Sequence, residues 1–262
     1  MSQATKISNP WDNIATNYDS EIISPLLHAT HNPLWGDINK IKAKATKTVA
    51  DLGAGTGNLM PYLLPKFKKI YAIDAGAKMV ELMKEKRSRL KSAEKSKVKI
   101  YKKKLENLKG LENSFDLAIS INSLLMPEYK NIKKSLLQIK NSLRKGGRFI
   151  LVVPSMEAIS QAYRWIYERE LKLCGKRAKA ITLANKNIEF ERIHFGLGEY
   201  DTSDMIQKYF SRFEIETLLA ETGFTVKSYD RVVYDGEITF LYNDPKPKSP
   251  NMWDHYLNCS VQ

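Results

Sequence analysis

The sequence predicts an α/β protein: a doubly wound, mostly parallel sheet of seven strands, with helices on both faces and a cap inserted between the fifth and sixth strands. Three observations carry this expectation. Short apolar runs alternate with segments of helical periodicity from Lys47 to Val153, a glycine-rich turn closes the first of those runs, and the rhythm changes after Pro154. The chain has 262 residues, 43% of them hydrophobic, which is enough to bury a core of that size.

The first strand is Lys47–Leu52 (KTVADL), an apolar run that stops at the glycine turn. Asn58–Phe67 places Leu59, Tyr62 and Leu63 at helical spacing, and Lys69–Asp74 (KIYAID) reads as the second strand. Lys78–Leu90 is helical, with Met79, Leu82, Met83 and Leu90 on one face. Lys97–Tyr101 alternates as the third strand, and Ser114–Ile121 (SFDLAISI) forms the fourth. A helix over Ile132–Leu143 then ends at "RKGG", which supplies a stop and a turn before the fifth strand, Arg148–Val153. Beyond Pro154, Ser155–Cys174 is one long helix striped by Met156, Ile159, Tyr163 and Ile166. An irregular, aromatic-rich stretch reaches Phe210, and a last helix, Glu214–Glu221, is stopped by Gly223. Strand candidates follow at Thr225–Tyr229 and at Val232–Tyr234 with Glu237–Tyr242, then a polar linker, Asp244–Pro250. The expected organisation is an N-terminal lid of helices (1–46), a core (47–153), a cap (154–210), the end of the core sheet (211–243) and a tail (244–262).

Composition narrows the function classes. No apolar run reaches the roughly 18 residues of a membrane helix, and no leader pattern opens the chain, so a cytoplasmic protein is expected. Cys174 and Cys259 lie far apart, without spacing for a metal or a redox pair, and no metal is expected. The formal charge of +13 is concentrated in two places. Lys84–Lys104 holds eleven Lys/Arg against two acids, net +9, and Lys130–Arg148 holds seven and no acid, net +7. Such segments suit nucleic acid or a solvated face, and their position in the fold decides between the two.

The turn Asp51-Leu-Gly53-Ala54-Gly55-Thr-Gly57 is the chemical signature. A dinucleotide fingerprint needs a glycine where Asn58 stands, and there is no Gly-Lys-Ser/Thr for a phosphate loop. Glycine, lacking a Cβ, lets a ligand approach the backbone. Asp74, which ends the next strand, stands 21 positions after Gly53, near the roughly 20 expected of an acid that receives both ribose hydroxyls. An empty tight turn is the plain alternative, and Asp74 argues against it. With "WDNIATNYD", "FDLAISINSL", "LRKGGRFILVV" and "FEIETLLAETGF" in this order, the chain from Trp11 to Tyr242 resembles the class I, Rossmann-like S-adenosylmethionine-dependent methyltransferases.

That resemblance implies S-adenosylmethionine as cofactor, with Asp51, Gly53, Ala54, Gly55 and Gly57 around it, Asp74 at the ribose, and Ala75 and Met79 close by. It places the adenine contact after the third strand, where this chain has Lys104 instead of the common Asp, leaving Leu105 or Glu106 to serve. It also sets Ser120, Ile121 and Asn122 at the methionine end, and Trp11 and Tyr18 in a segment folded over the cofactor. The expected activity is methyl transfer by in-line displacement to a small-molecule acceptor at O, N or C. RNA or protein methylation and a non-catalytic S-adenosylmethionine-binding module are the rivals. "INSLLMPE" replaces an Asn-Pro-Pro-Tyr amine motif at the fourth strand, and no Pro-Cys nucleophile is present. If Lys84–Lys104 lies on a sheet edge and Lys130–Arg148 on the opposite face, the two cannot form one groove, which disfavours a nucleic-acid partner. The cap, with Tyr163, Trp165, Tyr167, Phe190, Phe195, Tyr200, Tyr209 and Phe210, suits enclosing a small acceptor. Tyr163, Phe195 and Tyr200 are the candidate acceptor contacts, and His194 the candidate catalytic base. The oligomeric state is left open.

Overall fold

Alternating apolar residues give the sheet two covered faces, and a computed structural model, which describes residues 11–15, 24–202, 205–235 and 251–261, shows how they are filled. In chain order the strands are β1 (Ala29–His31), β2 (Thr48–Leu52), β3 (Lys69–Asp74), β4 (Val98–Lys102), β5 (Phe115–Ile121) and β6 (Leu143–Pro154). Three short strands, β7 (Ile193–His194), β8 (Glu199–Asp201) and β9 (Ile206–Lys208), form a separate sheet in the cap. β10 (Phe224–Tyr234) and β11 (Met252–Val261) return to the main sheet, whose order is β1-β10-β11-β6-β5-β2-β3-β4. β2 through β6 run parallel, whereas β11 is antiparallel to both its neighbours, β6 and β10.

The helices are α1 (Trp11–Ile14), α2 (Leu34–Lys40), α3 (Met60–Leu63), α4 (Ala77–Ser88), α5 (Ser92–Lys95), α6 (Tyr129–Ser142), α7 (Met156–Cys174), α8 (Arg177–Asn187) and α9 (Arg212–Glu221). One core joins Ala50, Leu52, Ala118, Leu151 and Val153 to Ile132, Leu136 and Ile139 of α6 and to Ile215 and Leu218 of α9. The other joins Val49, Leu117, Ile119, Ile150 and Val152 to Leu34 and Ile38 of α2 and to Val80 and Met83 of α4. β2 is buried along its whole length, as a central parallel strand between two helical layers must be. The basic helices α4 and α6 therefore lie on opposite faces, and the lysine-rich β4 is an edge paired only with β3.

The structure corrects several expectations. Among the described residues the sheet has eight strands and not seven, because β1, within the segment expected to be lid helices, pairs with β10. The expected tail contains β11, which sits between β6 and β10 with Leu257 opposite Leu151 and Tyr229. Its apolar residues Trp253, Tyr256, Leu257, Cys259 and Val261 are buried there. The two strand candidates at 225–234 are one strand, β10, and the candidate at 237–242 lies outside the described residues. The helix expected over 58–67 shrinks to α3, whose first turn accommodates Pro61 and which stops before Pro65, a residue without the N–H that helical continuation needs. "RKGG" follows the end of α6 as a tight excursion counted within β6: three extra residues stand between the Leu143–Phe115 and Arg148–Leu117 pairs, with Gly146 at φ +72° and Gly147 folded back toward the Arg144 carbonyl. The irregular part of the cap contains α8 and the β7–β8–β9 sheet.

Candidate active site

The glycine turn is built by backbone bonds across to β3. Gly53 and Ala54 both donate to the Ile73 carbonyl, at 2.8 and 3.0 Å, and Gly57 N–H donates to Ala54 O. Gly53, Gly55 and Gly57 all have positive φ, a conformation that side chains resist. A Cβ on Gly53 would stand 2.1 Å from Ser123 Cβ, so the turn is pressed against the residue two places past the end of β5. Ser123 is itself held by a 2.5 Å hydroxyl contact with Ser120.

Asp74 ends β3 beneath this turn. Its Oδ2 accepts from Gly55 N–H at 2.9 Å and its Oδ1 from Gly76 N–H at 2.8 Å. Burial raises its pKa, while the N–H groups of Gly76, Gly55 and Ala75 pull the other way and the Asp12 carboxylate adds to the rise. Asp12, on α1, caps α4 by accepting from Ala77 and Lys78 N–H. That bond docks the Trp11 segment beside Asp74, and nothing in the composition of "WDNIATNYD" singled out Asp12. Tyr18 lies outside the described residues. Ala54 is half-buried against the α2–α4 core, and Met79 is buried beneath Gly76. Asp51 is buried, its pKa pushed up to about 7 by desolvation and by the neighbouring Asp74 charge, and its Oδ2 has no hydrogen-bond partner among the described residues. Leu105 and Glu106 follow β4 on a loop that starts with Lys103 N–H donating to Asp74 O, with Leu105 buried in the core.

On the other side of β5 the edge is closed by the cap. Lys208 N–H donates to Leu125 O, Phe210 N–H to Pro154 O, and Met156 N–H to Phe210 O. These bonds lay residues 208–210 across the loop after β5 and the end of β6. Lys208 is buried in an ion pair with Glu214 at 2.8 Å, which ties the same segment to α9. Tyr209 follows, near Asp254 at the start of β11. Its hydroxyl pKa is driven up by burial and by the Asp254 and Tyr200 groups. Asn122, with φ +47°, donates from Nδ2 to Asp254 Oδ2 at 2.8 Å, and Tyr234 donates to the same oxygen at 2.5 Å.

The cap candidates fare differently. Tyr163 and Phe195 pack in the cap's own small core around Ile166, Ala184 and Ile188, both flanking Phe190, and the Tyr163 hydroxyl donates to Asn185. The described contacts of both lie within the cap. His194 is exposed on the β7–β8 turn, where its Nδ1 accepts Leu197 N–H at 3.0 Å. It shapes that turn and has no described contact with Asp74, Asn122 or Asp254. Tyr200 stands edge-on to Tyr209 at 6.2 Å and donates to Glu189. Cys259 is buried with its thiol pushed up to about 12, which suits a core residue and not a nucleophile. Asp254, Tyr234 and Asp12 were not singled out from the sequence, and Tyr209 only as one of the cap aromatics. Asp254 is a polar residue on the buried strand β11 and Tyr234 a buried end residue of its neighbour β10, a signal visible only once those strands are placed in the sheet.

Comparison with known proteins agrees with this geometry. Residues 49–147 match a family described as a methyltransferase domain. Among curated proteins, no sequence matches the chain. A SAM-dependent methyltransferase from Methanosarcina mazei superposes with a TM-score of 0.59 at 15% identity, over 88% of this chain and 98% of its own. A putative methyltransferase from Haloferax volcanii, solved with the Trm112 activator, gives 0.60 at 14% identity over 98% and 99%. The 1,6-didemethyltoxoflavin-N1-methyltransferase of Burkholderia thailandensis, solved with its substrate and S-adenosylhomocysteine, gives 0.51 at 17% over 87% and 81%. At these identities the likeness is one of fold. No described helix is long and apolar enough to cross a membrane.

Proposed function

We propose that this chain, which carries a class I S-adenosylmethionine-dependent methyltransferase domain, methylates a small organic acceptor held beneath the 154–210 cap. The observation that supports this reading most is the path of residues 208–210. Their backbone bonds to Leu125 and Pro154 carry them across the ends of β5 and β6, over the half of the edge next to the glycine turn. Ligands of open α/β sheets bind at this edge.

The residues present fit the cofactor. Asp74 accepts from Gly55 N–H on Oδ2 and from Gly76 N–H on Oδ1, with Ala75 N–H also close, and a carboxylate at the end of β3 suits the hydroxyls of a ribose. Asp51, with an orphaned buried oxygen beside the turn, suits the ammonium of the methionyl part. When bound, the cofactor supplies a methyl group on a cationic sulfur, open to in-line displacement. The chain's part is to hold both reactants in line and to keep water out, which the cap bonds to Leu125 and Pro154 serve.

Asp51 makes cofactor affinity depend on pH. Its pKa of about 7 without ligand must fall when an ammonium group pairs with it, so binding releases a proton below that value. Affinity for S-adenosylhomocysteine is expected to rise as pH increases toward 7, level off, and fall again as the ligand's α-amino group deprotonates above about 8. Asp51→Asn should flatten the acid limb alone. Calorimetry in two buffers of different ionisation enthalpy checks this, and an unaltered acid limb in the variant removes Asp51 from the ammonium contact.

Labelled S-adenosylmethionine incubated with a cell extract, followed by mass spectrometry of the labelled products, tests the acceptor class. Label is expected in small molecules. Replacing Lys102, Lys103 and Lys104 together by Ala should leave that labelling within about twofold, since Lys102 ends the edge strand β4 and the bond of the following residues to Asp74 comes from the Lys103 main-chain N–H, which alanine keeps. Label in RNA or protein, or tight, salt-dependent RNA binding lost in the triple variant, would instead make the basic edge part of the function.

A further inference from the structure

The polar cluster at the start of β11 has unfilled hydrogen-bonding capacity. Asp254 lies opposite Pro154 on one side and Val232 on the other, and is 8% exposed. Both of its described hydrogen bonds, from Tyr234 and Asn122, end on Oδ2, which leaves Oδ1 free to accept. A carboxylate only accepts, so the Asn122 amide must present its NH2 to Asp254. Asn122 Oδ1 is then buried without a hydrogen-bond partner among the described residues. No Lys or Arg among them pairs with Asp254. The nearest titratable base, His255, is turned toward Glu157, Tyr229 and the Phe210 carbonyl. Asn122 is held at φ +47°, an uncommon conformation for a side-chain-bearing residue, and its neighbour Ser123 fills the space facing Gly53. Two residues thus connect the glycine turn to Asp254.

Resting on the methyltransferase reading above, we propose that Asp254 and Asn122 form the acceptor subsite, that it takes a primary or secondary amine, and that Asp254 receives the proton of the attacking nitrogen. Two acceptor oxygens on adjacent side chains call for two donors on one group. A hydroxyl or thiol has one, whereas a primary amine has two and keeps its lone pair for attack. A secondary amine reaches two when protonated, a form an uncompensated carboxylate favours, and it must first give one of those protons through Asp254 to water before its lone pair is free to attack. In the step itself the neutral nitrogen's lone pair forms the N–CH3 bond as the carbon–sulfur bond breaks and leaves its electron pair on sulfur. The proton then surplus on nitrogen passes to Asp254 Oδ1, and from the carboxylic acid to water. Burial raises the Asp254 pKa, which makes its carboxylate a better proton acceptor than a solvated one. Tyr234 and Asn122 position the carboxylate by holding Oδ2.

The test uses the full chain saturated with S-adenosylhomocysteine and labelled with 13C at aspartate carboxyls. Its probes are benzylamine and benzyl alcohol, followed by NMR. Benzylamine is expected to shift the Asp254 resonance saturably and benzyl alcohol to leave it in place, with benzylamine affinity at least tenfold weaker in Asp254→Asn. Asp254→Asn identifies the resonance; should that variant not fold, Tyr234→Phe identifies it by removing one hydrogen bond. Intact S-adenosylhomocysteine binding with no Asp254 response to benzylamine, or an equal response to the alcohol, overturns the subsite and leaves the cofactor reading standing. Failure to bind S-adenosylhomocysteine at all sinks both.

Discussion

Asp74→Ala is expected to weaken S-adenosylhomocysteine binding by about 1.5–3 kcal/mol, or roughly 10–150-fold, the worth of hydrogen bonds to a charged group. The loss has two sources. The ribose hydroxyls lose their acceptor, and the N–H groups of Gly55 and Gly76 lose the carboxylate that orders the turn. Asp74→Asn separates them, since an amide keeps one acceptor oxygen and sets an NH2 against a backbone donor. NAD should bind neither protein, because Asn58 stands where close helix–strand packing under a pyrophosphate needs glycine. Calorimetry on wild type and both variants reads this directly. Unchanged affinity in Asp74→Ala removes the residue from the ribose contact.

Gly53→Ala is expected to destabilise the fold by about 2–5 kcal/mol. A side chain at φ +70° costs about 1–2 kcal/mol, and forcing a methyl into packed surroundings adds about 1–3 kcal/mol. The overlap with Ser123 Cβ is severe, and the Ser120–Ser123 contact keeps that residue from swinging away. Gly146→Ala is the control: its φ is +72°, yet a Cβ there meets nothing within 4 Å, so only the conformational term applies. Urea denaturation of both variants should show Gly53→Ala to be the worse by more than 1 kcal/mol. Equal destabilisation contradicts the close approach of the turn to the β5 end.

Much of the cofactor half was legible in the sequence because it is local. The turn from Asp51 to Gly57 lies between a strand and a helix start, and Asp74 closes the adjacent parallel strand, so chain order and spatial order nearly coincide. The buried periodicity of α6 and α7 was legible for the same reason. The sheet edge at β4 followed from topology and the lysines along it. The last strand was not legible: the polar, proline-rich run before 251 reads as a linker, although residues 252–261 are almost entirely buried. A strand buried on both faces loses the polar alternation that would mark it.

The acceptor side shows the same division. Aromatic residues in the cap were visible, but composition does not distinguish Tyr163 and Phe195, which pack in the cap's own small core, from Tyr209, which the bonds of residues 208–210 direct to the edge. His194 was the natural base candidate, and a turn bond to Leu197 accounts for it. By itself the sequence determined the parallel core, the glycine turn and the acid beneath it, since these depend on neighbours along the chain and on period-two and period-3.6 patterns. Only the tertiary structure decided which side chains meet at the carboxyl ends of β5 and β6. There Asn122 and Asp254 are 132 positions apart, joined because an antiparallel β11 enters the sheet from the carboxyl edge and brings its first residues to the ends of β5 and β6. Placing a carboxylate at that spot depends on strand order and direction, which no local pattern encodes.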